Sequence, residues 1–262
     1  MVKKSIIDNP VVSRQVFYPQ KRGVPSNLSS YIKVLKLQIN KKVLIGGFFF
    51  ENDANLPTIL LFHGNGEIAE GYYGLLDFFF DCGVNLAVVD YRGYGFSSGE
   101  PFYTSLLSDA FPIYNEFSYW LNENNIVDSI FVLGRSLGSA CASEIGAQNP
   151  SNLRGIIFES GFASIYNMMT RLFRVSGEGI NLEDLKEYSN DTRILKFKKP
   201  VLIIHGIQDF VIPYDESKII YDCIPDGVEK ELVLIERAGH NDIFLFRDEY
   251  ITPLKQFIQK HK

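Results

Sequence analysis

Cysteine is scarce and scattered in this chain: Cys82, Cys141 and Cys223 are the only three, an odd number with no CxxC pair. That excludes a disulfide framework, and no cysteine or histidine grouping has the ligand spacing of a zinc site, so no metal is expected. Long apolar runs are missing too. No stretch approaches the roughly 20 residues needed to span a bilayer, and the opening MVKKSIIDNP lacks the apolar core of a secretory signal. No integral membrane segment is therefore expected, and a cytoplasmic location is. Val2 and the absence of cysteine near either end argue against the common acyl and prenyl anchors. The third absence is an excess of positive charge. With 26 Lys plus Arg against 31 Asp plus Glu, the formal charge is -5. Lys3 and Lys4, Lys41 and Lys42, and Lys196, Lys198 and Lys199 are short runs beside apolar segments and read as solvated surface. Binding nucleic acid takes clustered cations, so that partner is not expected.

What is present is material for a large core: 46% hydrophobic against 22% charged residues over 262 positions. A single domain over residues 1–262 is the expectation. Apolar runs of strand length recur at 58–62 (TILLF), 85–90 (NLAVVD), 129–134 (SIFVLG), 155–160 (GIIFES), 201–205 (VLIIH) and 231–236 (ELVLIE). Helical patterns lie between and after them at 68–81, 104–122, 137–148, 214–222 and about 242–260. Strands apolar on both faces, alternating with helices, predict an α/β architecture: a mostly parallel twisted sheet with helices on both sides. Three earlier segments, 14–18, 31–38 and 43–50, have no helical pattern between them and predict an antiparallel amino-terminal edge.

Strand 129–134 runs directly into GRSLGS, placing Gly134, Ser136 and Gly138 as G-x-S-x-G at a strand-to-helix junction. Small residues two before and two after the serine permit a sharp turn that leaves its hydroxyl standing over the sheet. The helix that follows aims free N–H groups at the same point, which favours an oxyanion. Ser136 is the candidate nucleophile. A second turn, HGNG at 63–66, ends strand 58–62; the backbone N–H groups of Leu137 and Asn65 are the candidate oxyanion donors.

Serine needs a base within hydrogen-bond reach, and only four histidines exist. His261 sits near the carboxyl end, and His63 and His205 fall at strand ends where ordering or packing explains them. His240, in the loop before the last helix, is left as the base. The carboxylate that would orient it is Asp209, in the loop after strand 201–205. Asp215, at a helix start, and Glu236, inside a strand, are the rivals. Arg135 reads as a solvated side chain at an unconstrained motif position, Asp109 as a helix-dipole partner, and 90–101 as a structured turn behind the site.

Together FHGNG, DYRGYGFSSGEP, GRSLGS, HGIQDFVIP and AGHND resemble the α/β-hydrolase superfamily from about residue 40 onward. Within it they are similar to small-cap serine hydrolases of the serine-aminopeptidase-like and protein-depalmitoylase-like group. The order Ser136, Asp209, His240 is the one that superfamily implies. The resemblance implies the α/β-hydrolase fold, an acyl-enzyme cycle on Ser136, no cofactor, and a short helical cap at about 161–199. Phe162, Ile165, Met168, Met169 and Phe173 in that segment are candidates for an acyl pocket, against the plainer reading of a helix packed on the sheet. A carboxylic-ester or thioester hydrolase acting on a small-molecule or acyl substrate is the leading expectation. A peptidase or amidase with the same three residues, and a non-catalytic binding module on the same fold, are the alternatives.

Overall fold

The computed structural model describes residues 6–177 and 180–262. Val2, Lys3, Lys4 and the first half of the opening stretch read above lie outside the described residues, as do positions 178 and 179 of the 161–199 segment. The strands are β1 (Ile32–Asn40), β2 (Val43–Phe50), β3 (Thr58–Phe62), β4 (Asn85–Val89), β5 (Ile130–Arg135), β6 (Leu153–Glu159), β7 (Val201–Gly206) and β8 (Lys230–Ile235). Among the described residues these eight form one sheet in the order β1-β2-β4-β3-β5-β6-β7-β8. β1 pairs antiparallel with β2, and β2 with β4; every later pairing is parallel. The mostly parallel sheet with an antiparallel edge is as the sequence predicts.

Parallel strands are buried on both faces because the helices that cross between them cover both sides. The side chains obey the two-residue alternation of a strand. Leu60, Phe62, Val132, Ile156 and Ile203 enter one core, and their neighbours Ile59, Leu61, Phe131, Ile157 and Leu202 enter the other. The helices are α1 (Pro10–Val16), α2 (Leu76–Phe80), α3 (Tyr103–Glu123), α4 (Ser139–Gln148), α5 (Ile165–Asn167), α6 (Leu182–Leu185), α7 (Asn190–Ile194), α8 (Asp215–Cys223) and α9 (Arg247–His261). Among the described residues, no helix is long and apolar enough to cross a membrane.

Three expectations about elements need correction. Residues 14–16 of the supposed first strand end helix α1, and 17 and 18 belong to neither. The start signal lay upstream: the Asn9 side chain accepts from the Val11 N–H at 2.9 Å, and Pro10 opens the helix. Val12 and Val16 are then buried four residues apart, on one helical face. The segment 68–81 is a 3-10 helix over Ala69–Leu75 followed by short α2, where Gly71 and Gly74 weaken α-helix formation. The last segment divides into a 3-10 turn, Ile243–Leu245, and α9, which carries Asp248 and Glu249 in its first turn.

Between β6 and β7 the chain forms α5, a π-helical turn at Met168–Leu172, α6, a 3-10 turn at Lys186–Tyr188 and α7. Since β3, β5, β7 and β8 point the same way, the loops leaving their carboxyl ends emerge along one rim. Those loops contain HGNG, Ser136, Asp209 and His240.

Candidate active site

The turn after β5 is the tightest in this region. Ser136 has φ 51°, a left-handed value that L-residues seldom adopt, and it opens a 3-10 turn, Ser136–Gly138, that leads into α4. The flanking glycines are required by contact. A β-carbon on Gly134 would fall 2.5 Å from the Gly138 carbonyl oxygen, and one on Gly138 would fall 2.0 Å from that of Phe62. Strand, turn and helix pack so closely that no side chain fits, and the serine is pushed up toward the rim.

His240 meets it there. The Ser136 hydroxyl lies 3.0 Å from His240 Nε2, and His240 Nδ1 lies 2.7 Å from Asp209 Oδ2. With Nδ1–H donating to the carboxylate, Nε2 is left bare to accept from the hydroxyl. Three residues from three loops, separated by up to 104 positions in the chain, form one hydrogen-bonded path. Gly206 permits the approach of the two later loops, because a β-carbon there would sit 2.2 Å from the Ala238 carbonyl oxygen.

Asp209 is held on every side. Its Oδ1 accepts from the N–H groups of Val211 at 2.9 Å and Ile212 at 2.8 Å, and its Oδ2 lies 3.2 Å from His205 Nε2. Burial pushes this carboxyl up, but hydrogen bonds from His205, His240 and the Ile212 backbone outweigh burial and hold it well below the usual carboxylate range. His205 thus does more than fill space: it also lies 2.5 Å from Ser217 Oγ and 2.9 Å from the Ile212 carbonyl, bracing the Asp209 loop. Rival Asp215 is exposed and bridges to Lys218 at 3.0 Å, and Glu236 is exposed and lies just past β8, not inside the strand as expected. His63 is buried, 2.8 Å from the Gly64 carbonyl and 3.2 Å from Asp90 Oδ1. Asp109 forms a fork with Arg92 at 2.5 and 2.6 Å, a tertiary role its position in α3 did not disclose.

Ser136, Leu137, Asn65 and His240 line a single cavity of about 250 Å³. Met168 and Phe173 lie on its wall, joined by Tyr18, Leu172 and Val211, which the sequence did not single out. Phe162, Ile165 and Met169 belong instead to the core, each 1% exposed or less. The Asn65 side chain is fixed by the amino-terminal segment and by the turn after β4: it accepts from the Tyr18 N–H at 3.1 Å and from Tyr94 Oη at 2.8 Å, and donates to the Val16 carbonyl at 2.5 Å. Gln20 bonds the Gly66 carbonyl, and the Arg22 N–H the Gly95 carbonyl at 3.0 Å.

Arg135 departs most from expectation. It is 4% exposed. Its Nε donates to Glu67 at 2.8 Å, its Nη1 to Glu159, and its Nη2 to the His240 carbonyl at 3.1 Å and Asn241 Oδ1 at 3.2 Å. Nothing in local sequence marks it as buried, since its partners come from distant loops. Beside it opens a groove of about 630 Å³ that also takes in Glu67, Glu70, Arg22, Asn241 and Phe244.

The family model described as "Serine aminopeptidase, S33" matches residues 54–181. Among curated proteins, protein bem46 of Schizosaccharomyces pombe is 26% identical over 250 residues, 90% of this chain and 80% of that one. YfhR of Escherichia coli K12, an uncharacterized protein, is 30% identical over 210 residues, 79% of this chain and 71% of its own. Among solved structures, the Pyrococcus furiosus esterase Pf2001 superposes with a TM-score of 0.72 at 21% identity, covering 93% of this chain and 98% of the other.

Proposed function

The chain belongs to the α/β-hydrolase superfamily, and on that premise we propose that it is a serine hydrolase with Ser136 as nucleophile, His240 as general base and Asp209 as the orienting carboxylate. The observation that carries the reading is the unbroken path from hydroxyl through imidazole to carboxylate. As Ser136 Oγ bonds to the substrate's carbonyl carbon, its proton passes to His240 Nε2, and Asp209 stabilises the imidazolium formed. The carbonyl oxygen takes up negative charge facing the N–H groups of Leu137 and Asn65. The Leu137 N–H belongs to the first turn of a helix, where N–H groups have no intrahelical partner. Each such donor contributes about 3 kcal/mol to the transition state. His240 then protonates the leaving group, and water releases the acyl group by the same steps.

The substrate in this reading is a carboxylic ester or thioester with an apolar acyl part. Met168, Leu172, Phe173 and Val211 give the cavity an apolar wall beside the serine, and segment 161–199 acts as a small cap on one catalytic domain. No step calls for a cofactor or a metal, and the enzyme works in the cytoplasm. Amide or peptide hydrolysis is the second reading, favoured by the match to a family model named for serine aminopeptidases. A fluorophosphonate probe tests the core of the proposal: it should label the wild type and not Ser136→Ala. Folded wild type that stays unlabelled would instead be a binding module. A panel of nitrophenyl esters, acyl thioesters and aminoacyl anilides then ranks the two substrate classes.

A further inference from the structure

The guanidinium of Arg135 stands where four chain segments meet. Four of its five N–H groups are committed, to Glu67, Glu159, the His240 carbonyl and Asn241. Its carboxylate partners reach further. The other oxygen of Glu67 accepts from the Gly64 N–H at 3.0 Å and from Tyr72 Oη at 2.7 Å. The other oxygen of Glu159 accepts from Tyr250 Oη in α9 at 2.7 Å. The Phe244 ring packs 5.5 Å from the guanidinium carbon. One planar cation thereby ties the HGNG turn, through Glu67, to the backbone of the histidine itself, and does so from the residue directly before the nucleophile.

A buried cation between two carboxylates is an expensive way to stabilise a fold, since an apolar set of similar volume serves as well or better. What such a set lacks is direction. A guanidinium fixes its partners in a plane at set angles, which neither an apolar side chain nor the point charge of a lysine does. We infer that Arg135 is a positioning residue for the reaction: it sets the HGNG turn and the His240 loop in register with Ser136. With its side chain buried and its N–H groups engaged, it acts on the reacting groups through their loops and not through the substrate. The inference rests on the reading that Ser136 and His240 carry the chemistry.

Kinetics on p-nitrophenyl acetate test it, with circular dichroism and thermal melts to show that each variant is folded. Arg135→Lys keeps the charge and loses the fork; kcat should fall about 100-fold, the effect of misplacing reacting groups by about 1 Å, while KM stays within about three-fold. A kcat within about three-fold of wild type overturns the inference, and so does a raised KM at unchanged kcat, which would put Arg135 on the substrate. Should Arg135→Lys not fold, Glu67→Gln and Asn241→Ala take its place, because each bonds Arg135 from a different loop. Their effects on kcat/KM should depart from the product of the singles by five-fold or more in the double variant. Agreement with that product within about two-fold overturns the coupling. Ser136→Ala separates the two claims: if it retains wild-type turnover the hydrolase reading fails and takes this one with it, whereas an inert Ser136→Ala beside a fully active Arg135→Lys removes this one alone.

Discussion

At the scale of single residues, Asp209 shows how a charge is kept in a buried place: two backbone N–H groups and two imidazoles surround it. Replacing it with Asn removes the charge and leaves an amide that cannot accept on both sides. By the arithmetic of such triads, Asp209→Asn should lower kcat about 10,000-fold. Asp215→Asn, on an exposed side chain paired with Lys218, should leave kcat within about two-fold; steady-state rates of both variants on one ester decide between the two acids. That Ser136, His240 and Asp209 meet at one rim could be read from the sequence because each follows an apolar strand, and the strand-end position carries the information. Arg135 and Glu67 could not. A charged residue beside a motif looks like surface until partners 68 and 105 positions away are known.

At the scale of elements, the turn between β5 and α4 depends on two absent side chains. Gly138→Ala drives a methyl group into the Phe62 carbonyl of β3, a backbone atom with nowhere to retreat. Overpacking of this kind costs about 1–3 kcal/mol, and the turn that carries Ser136 should shift with it. Gly74→Ala, in the 3-10 helix with nothing within 4 Å, should change stability by less than about 1 kcal/mol. Urea unfolding of the pair, with ester turnover alongside, measures both effects. The parallel strands and the long helix α3 were legible from apolar runs and periodicity. Helix α1 was not: RQVFY taken alone alternates like a strand, and its cap and proline lie outside that window. Ile165 and Met169 show a similar limit, because a sequence tells that a helical stretch is apolar and not which way its apolar face turns.

At the scale of the whole molecule, two carboxylates tie stability to pH. Burial raises Glu67, but the Arg135 charge beside it, with His63 and the Tyr72 hydroxyl, prevails and leaves it below the usual range. Asp209 is lowered likewise by its donors. Both folded values lie beneath the unfolded ones of about 4. The stabilisation is therefore complete above pH 5, and it drains away as acid protonates first the unfolded chain and then the native carboxylates. Thermal midpoints should hold between pH 7 and 5 and fall steeply below about 4; a midpoint that rises there would contradict the assignment. The same wide-angle view draws in the chain before β1. Val16, Tyr18 and Gln20 clasp the HGNG turn from outside the sheet, while residues 21–31 run largely open to solvent. A protease that nicked this open stretch would leave all eight strands uncut, yet it would unfasten the clasp, with Val12, Val16 and Phe17 of one core, from its covalent root. Turnover would then falter before the sheet came apart, and a sample whose strands still paired would be a poor catalyst.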